Sequence, residues 1–363
     1  YHAGTKLTAG LENTIIGSQA GDALTDGDYN VAVGKSALGA STADSNTAVG
    51  HNSMVANTTG TDNVAVGFAS LDANTTGSDN TAIGDNALGA NTTASNNTAL
   101  GSSALASNTT GTANVAVGYY SLQANTGDGN TAVGRSALAA NTTADNNTAV
   151  GYQAATAVTT GDLNVAVGKG AMGTNTVGDR NVAVGVNALH TFNPSTNEDS
   201  YNVAVGLNAL FAATTGNQNT AIGGLAGAAV TTGASNSLLG YTAGNDITEG
   251  DFNTFIGRQS GEKTTTADGN TAVGYISLQN NTTGALNVAI GQEALQKNTT
   301  ANYNVAIGYQ ALEENTTGEA NVAVGYATLD GPTTYNNNTA VGYDAAGVAR
   351  SEERRVWKEC RSR

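Results

Sequence analysis

The sequence predicts an all-β chain, a single-stack parallel β-solenoid of about twenty coils with a 17-residue repeat. Three observations carry this. The phrase Asn-x-Ala-(Val/Ile)-Gly returns from Asn13 to Asn338, and of its nineteen intervals sixteen are 17 residues, two are 16 and one is 21. The phrase is rich in β-branched residues and ends on glycine, as a short strand does. Each repeat is too short for two helices and a turn, so it folds only by lying on its neighbours.

Counting from the anchor asparagine as position 0, positions +1 to +3 form the strand. Position +3 is always apolar, as in Val33, Ile83, Val167 and Ile307, and position +1 is mostly Thr or Val. Side chains alternate along a strand, so +1 and +3 share a face. That face is assigned to the core. The near-constant Ala at +2 (Ala32, Ala132, Ala289) then faces outward, where its small size suggests close approach of another surface.

A second core contribution comes at +8, mostly Leu: Leu38, Leu71, Leu122, Leu278, Leu312. Where +8 is Gly (Gly21, Gly227, Gly244), an apolar residue stands at +11 instead: Leu24, Val230, Ile247. Filling one space from alternative positions is what close packing demands. Gly261, followed by Thr264 at +11, has no such partner. The Asn-Thr-Thr-Gly segment closes the coil, because Asn and Gly tolerate turn conformations. Identical asparagines then stack along the axis as a polar ladder. One coil is irregular: His190–Tyr201, HTFNPSTNEDSY, inserts four residues including Pro194 and must bulge outward. Such a loop on a rigid scaffold reads either as a recognition element or as a tolerated insertion.

Composition agrees. The 363 residues include 47 Gly and 2 Pro, with only 12% charged, where an average chain has about 25%. No apolar run reaches the roughly 18 residues needed to span a membrane. No signal peptide opens the chain and residue 1 is Tyr, so it reads as a fragment or processed piece. The solenoid is assigned to residues 1–349. The last fourteen residues, RSEERRVWKECRSR, hold the only Cys (Cys360), the only Trp (Trp357) and six of the fourteen basic residues. This 350–363 segment resembles a translated sequencing adapter and reads as a non-native tail. Without it the chain has 8 basic and 26 acidic residues and a net charge of −18. Such a surface repels nucleic acid and anionic membranes.

Catalysis requires clustered titratable groups, and His2, His51 and His190 fall on distant coils. No catalytic, metal or cofactor site is expected. Asp44, Asp62, Asp79, Asp145 and Asp179 stand one or two places before an anchor, where carboxylates cap turns, and the calcium-binding Gly-Gly-x-Gly-x-Asp signature is missing. An aromatic file runs at +5: Phe68, Tyr119, Tyr152, Tyr241, Tyr275, Tyr309, Tyr326 and Tyr343. Its C-terminal members, Tyr275, Tyr309, Tyr326 and Tyr343, form the candidate binding surface for glycan or protein. The alternative is a structural ladder half-buried at a coil corner or subunit seam. Paired threonines, such as Thr58-Thr59, Thr75-Thr76 and Thr142-Thr143, suggest a rival, an ice-binding Thr array. These pairs sit at an expected turn, where only one file faces outward.

The phrases NVAVGKSAL (Asn30–Leu38), NTAVGRSAL (Asn130–Leu138) and NVAIGQEAL (Asn287–Leu295) resemble the YadA-like head repeats of trimeric autotransporter adhesins. The resemblance covers residues 3–349. It implies a left-handed β-roll whose branched residues fill each coil, three chains packed side by side, and no enzymatic activity. It implies an adhesive fibre segment on the bacterial surface or outside the cell, binding a host or environmental protein or glycan and held by an outer-membrane anchor elsewhere. Related repeats in phage tail fibres and in surface proteins ending in an endosialidase-type chaperone imply a virion shaft as the alternative. The coils here are about three residues longer than the usual repeat of that family.

Overall fold

The computed structural model describes residues 2–332 and 334–347. The segment read as a non-native tail lies outside the described residues. The described chain is all-β, with twenty strands of three residues, one at each anchor. It divides into two compact units. The first runs to Asn181 and includes Pro194–Asp199; it holds β1 (Thr14–Ile16) through β10 (Val165–Val167). The second comprises Val182–Asn193 and everything from Ser200 onward; it holds β11 (Val182–Val184) through β20 (Thr339–Val341).

Within each unit every strand pairs in parallel with the next, position over position. Val31 lies over Thr47, Ala32 over Ala48 and Val33 over Val49; Val305, Ala306 and Ile307 meet Val322, Ala323 and Val324 in the same way. The Val31 N–H donates to the Asn46 carbonyl and the Gly50 N–H to the Val33 carbonyl, both at 2.8 Å. The strand stops at the +4 glycine for two reasons. Gly50 has φ +138, which side-chain-bearing residues rarely adopt, and a Cβ there would lie 2.1 Å from the Gly67 carbonyl oxygen of the next coil.

The strand is turned the other way round from the sequence reading. The +2 alanines from Ala32 to Ala323 are fully buried, while +1 and +3 are half-buried or exposed. The interior here is only as wide as Ala, because Leu at +8 fills the rest from the opposite side: Leu38, Leu71 and Leu278 are fully buried. The constant small size at +2 is the mark of a tight interior. The interchange of Val, Ile and Leu at +3 is the mark of a looser surface. A branched core face, read from alternation and implied by the family resemblance, is therefore not what this chain has.

The +8 alternation stands and gains a cause. Leu at +8 sits in the left-handed region (Leu38 φ 53, Leu278 φ 52), where glycine is unstrained. Glycine serves when another residue supplies the volume. Leu24, Val230 and Ile247 are fully buried, as the sequence suggests. Gly261 is explained by position +2, where Phe255 replaces Ala, is fully buried, and puts its ring 2.3 Å from where a Cβ of residue 261 would stand. Leu238 at +2 faces Gly244 in the same way.

Two buried asparagine files tie the coils together. The Asn63 N–H donates to Asn46 Oδ1 (3.1 Å) and its Nδ2 to the Gly77 carbonyl (2.9 Å). Asn74 Nδ2 donates to the same Gly77 carbonyl and to Asn57 Oδ1, both at 2.9 Å. One carbonyl thus closes the coil between anchor and +11 asparagine. The +11 ladder runs from Asn57 to Asn108 and resumes from Asn125 to Asn141 in the first unit, and runs from Asn281 to Asn315 in the second. Asn141 Oδ1 and Asn315 Oδ1 are buried without a partner. Each ends its ladder, because Val158 and Pro332 follow at +11 and neither has a side-chain donor. Both 16-residue coils omit one residue at the bend, so the register of their strands is untouched. In the 21-residue coil Phe192 fills the +11 site, fully buried, and Ser195–Asn197 are exposed.

Candidate binding surface

The +5 residue follows the +4 glycine, whose backbone turns the chain at a corner and points the next side chain outward. The +6 N–H then donates to the +5 carbonyl of the previous coil: Ala327 to Tyr309 and Asp344 to Tyr326, both at 2.8 Å. This pins successive +5 residues one coil apart. The rings of Tyr309 and Tyr326 stack at 5.1 Å and 17°, and those of Tyr326 and Tyr343 at 4.9 Å and 7°. Exposure rises along the stack, from half-buried Tyr309 to 47% at Tyr326 and 78% at Tyr343. Tyr275 is not part of it. Gln292 occupies +5 in the intervening coil, and Tyr275 instead packs against Arg258, 5.7 Å from its centroid.

Each ring of the stack uses a face on its neighbour, and Tyr326 has a ring on both sides. Stacking a sugar on Tyr326 is excluded. The stack presents its phenol edges, a row of hydroxyls. Carboxylates stand beside it. Burial raises the Tyr309 pKa from its usual value, and the charges of Glu293 and Glu313 add to the rise. Burial likewise raises Glu313, with Glu293 and Glu314 adding to it. Lys297 pairs with Glu314. Gln310 Nε2 donates to Glu293 Oε2 at 2.7 Å.

Elsewhere the same file carries cations. The Arg135 guanidinium lies 5.9 Å from the Tyr119 centroid and 5.7 Å from that of Tyr152. The sequence reading picked out the aromatics of the file and missed these arginines, although they occupy the same +5 position. It also missed Glu293 and Glu313, which no single-position count marks.

The first threonine of most pairs lies at +12, mostly in bends, in a file that Asn193 interrupts. Its hydroxyls are engaged: Thr58 Oγ1 donates to the Thr75 carbonyl at 2.8 Å, Thr75 to Thr92 at 3.0 Å and Thr231 to Thr248 at 2.9 Å. The aspartates two places before an anchor accept backbone N–H groups from the preceding coil, as Asp44 does from Asp28 at 2.9 Å. The Asp128 N–H donates to Asp145 Oδ1, that of Asp145 to Asp162, and that of Asp162 to Asp179, each at 2.7 Å. His51 stacks on Phe68 and His190 on Phe211. Among the described residues no three His, Cys, Asp or Glu gather in a way that could hold a metal, and no helix is long and apolar enough to cross a membrane.

On the strand side, each unit exposes an apolar file at +3. In the first unit it includes Ile83 (37%) and Leu100 (45%), and in the second Leu239 (47%) and Ile290 (38%). Every +3 residue from Ile16 to Val341 is Ile, Val or Leu. No protein-family model matches this chain, and no curated protein matches it.

Proposed function

We propose that this chain is a structural and adhesive segment of an extracellular or cell-surface fibre, a non-enzymatic scaffold that assembles side by side as a homotrimer and presents a repetitive binding surface. The exposed +3 file carries the reading. A monomeric soluble protein rarely shows a contiguous apolar patch of that kind, whereas an assembly buries it. The β-branched +1 file beside it is half-buried and widens the same face. The resemblance to trimeric adhesin heads supplies the number three and the left hand. The tyrosine run of the second unit is the presented surface. A phage tail-fibre shaft shares the same solenoid physics and differs in what flanks it.

Light scattering of the whole chain tests the assembly. The expected mass is three times that of the monomer. Replacing Ile83, Leu100 and Val117 with Asp should give a folded monomer, since these side chains point away from the core. A stable wild-type monomer would remove the assembly reading.

A further inference from the structure

We propose that the Tyr309–Tyr326–Tyr343 run docks an arginine-bearing, basic segment of a protein partner. This deepens, and rests on, the reading of the tyrosine run as a presented surface. Three observations carry it.

The first is the shape of what is offered. The rings cover one another, at 5.1 and 4.9 Å, so the surface is a row of phenol oxygens and ring edges. Flat apolar stacking has no access to the middle of the run. Hydrogen-bond donors do, and guanidinium has five of them in a rigid fork.

The second is charge. Glu293 and Glu313 act on Tyr309, and Asp330 and Glu314 act on Glu313. One cation, Lys297, stands among them, and it is already paired with Glu314. The patch is therefore negative and complementary to a cation.

The third is the chain's own precedent. At the same +5 position the protein places guanidinium against tyrosine twice, Arg135 with Tyr119 and Tyr152, and Arg258 with Tyr275. In coils 304–343 the +5 position is Tyr three times running, with no arginine of its own among them. Successive rings are about one strand spacing apart, so Tyr309 and Tyr343 are separated by about 10 Å, the reach of three residues of extended chain. An extended segment points alternate side chains the same way, so basic side chains at i and i+2, about 7 Å apart, would both fall along the run.

The test is fluorescence anisotropy of a labelled, alternating Arg-Gly peptide added to the full chain at low ionic strength. The wild type should bind it more tightly than the matching Lys-Gly peptide. The triple variant Y309F/Y326F/Y343F keeps the rings and the net charge but loses the hydroxyls, and should bind about tenfold more weakly. The pair E293Q/E313Q should weaken binding as well. Unchanged melting by circular dichroism identifies each variant as folded. Equal binding by wild type and the Phe triple variant would mean bulk attraction to an acidic protein and would overturn the proposal. So would no binding by wild type, equal affinity for the Lys peptide, or capture of a neutral oligosaccharide in preference to the peptide. A trimer that ignores the peptide sinks this inference alone, and a monomer that binds it sinks the assembly reading alone.

Discussion

Leu278 shows how one side chain settles its coil. It is fully buried yet held at φ 52, so it trades backbone strain for volume. Leu278→Gly should release the strain and leave a cavity, with a net loss of about 2–5 kcal/mol in urea unfolding. Adding Ala272→Phe reproduces the natural pairing of Phe255 with Gly261 and should recover part of that loss. Asn281→Leu at +11 should not. The Asn281 amide donates to the Gly284 carbonyl at 2.8 Å and accepts from Asn298 Nδ2 at 2.8 Å, so leucine there strips a buried partner from the ladder. A rescue by Asn281→Leu as good as that by Ala272→Phe would show that volume alone governs the site. The sequence carried the +8 and +11 alternation in the open. It also carried Ile15, Leu238 and Phe255 at +2, each in a coil with Gly at +8. That correlation ties +2 to the core. Alternation could not, because it says which residues share a face and not which face is inside.

At the scale of one coil, the strand, the corner and the bend have separate tasks. The strand was legible from three residues and a glycine. The tyrosine file was legible as a position, but its stacking was not, since that depends on the +6 N–H holding adjacent corners in register. The arginines escaped notice because a search for aromatics passes over the cations between them. The bend bears on the ice-binding rival. The Thr58, Thr75 and Thr231 hydroxyls donate across coils to backbone carbonyls. They lie in bends and not on a flat strand face. Nanolitre osmometry of the whole chain should show no thermal hysteresis. Hysteresis that disappears when Thr59, Thr76 and Thr93 become Lys would make the threonine side the working surface. The bend also shields its apparent glycosylation sequons: Asn57, Asn74 and Asn91 are fully buried in the ladder.

At the scale of the molecule, net negative charge works against the compact state. The chain carries −15 at pH 7. Three carboxylates lie above their ordinary range. Burial raises Asp72. Burial raises Asp179, with the Asp162 charge adding to it. Burial raises Glu313, with Glu293 and Glu314 adding. A raised folded-state pKa means the folded chain holds its proton more tightly than the unfolded one. Stability from these groups therefore grows as pH falls toward the carboxylate range and is lost as pH rises through it. The melting temperature at pH 5 should equal or exceed that at pH 7. A lower value would mean that carboxylates held below their usual range dominate.

The register described for the first unit has a consequence for how the chain can change length. From Asn30 to Asn164 each coil meets its neighbours through the same positions, Ala on Ala and Gly on Gly. Excising residues 80–96 would set the coil of Asn63 directly on the coil of Asn97. The strands would pair as before, the +11 ladder would pass from Asn74 to Asn108, and no side chain would change sides. Cutting eight or nine residues would instead place bends on strands and charges on alanine. Length in this molecule is therefore quantised: copying errors that add or drop whole coils leave a foldable product, and nearly all others do not.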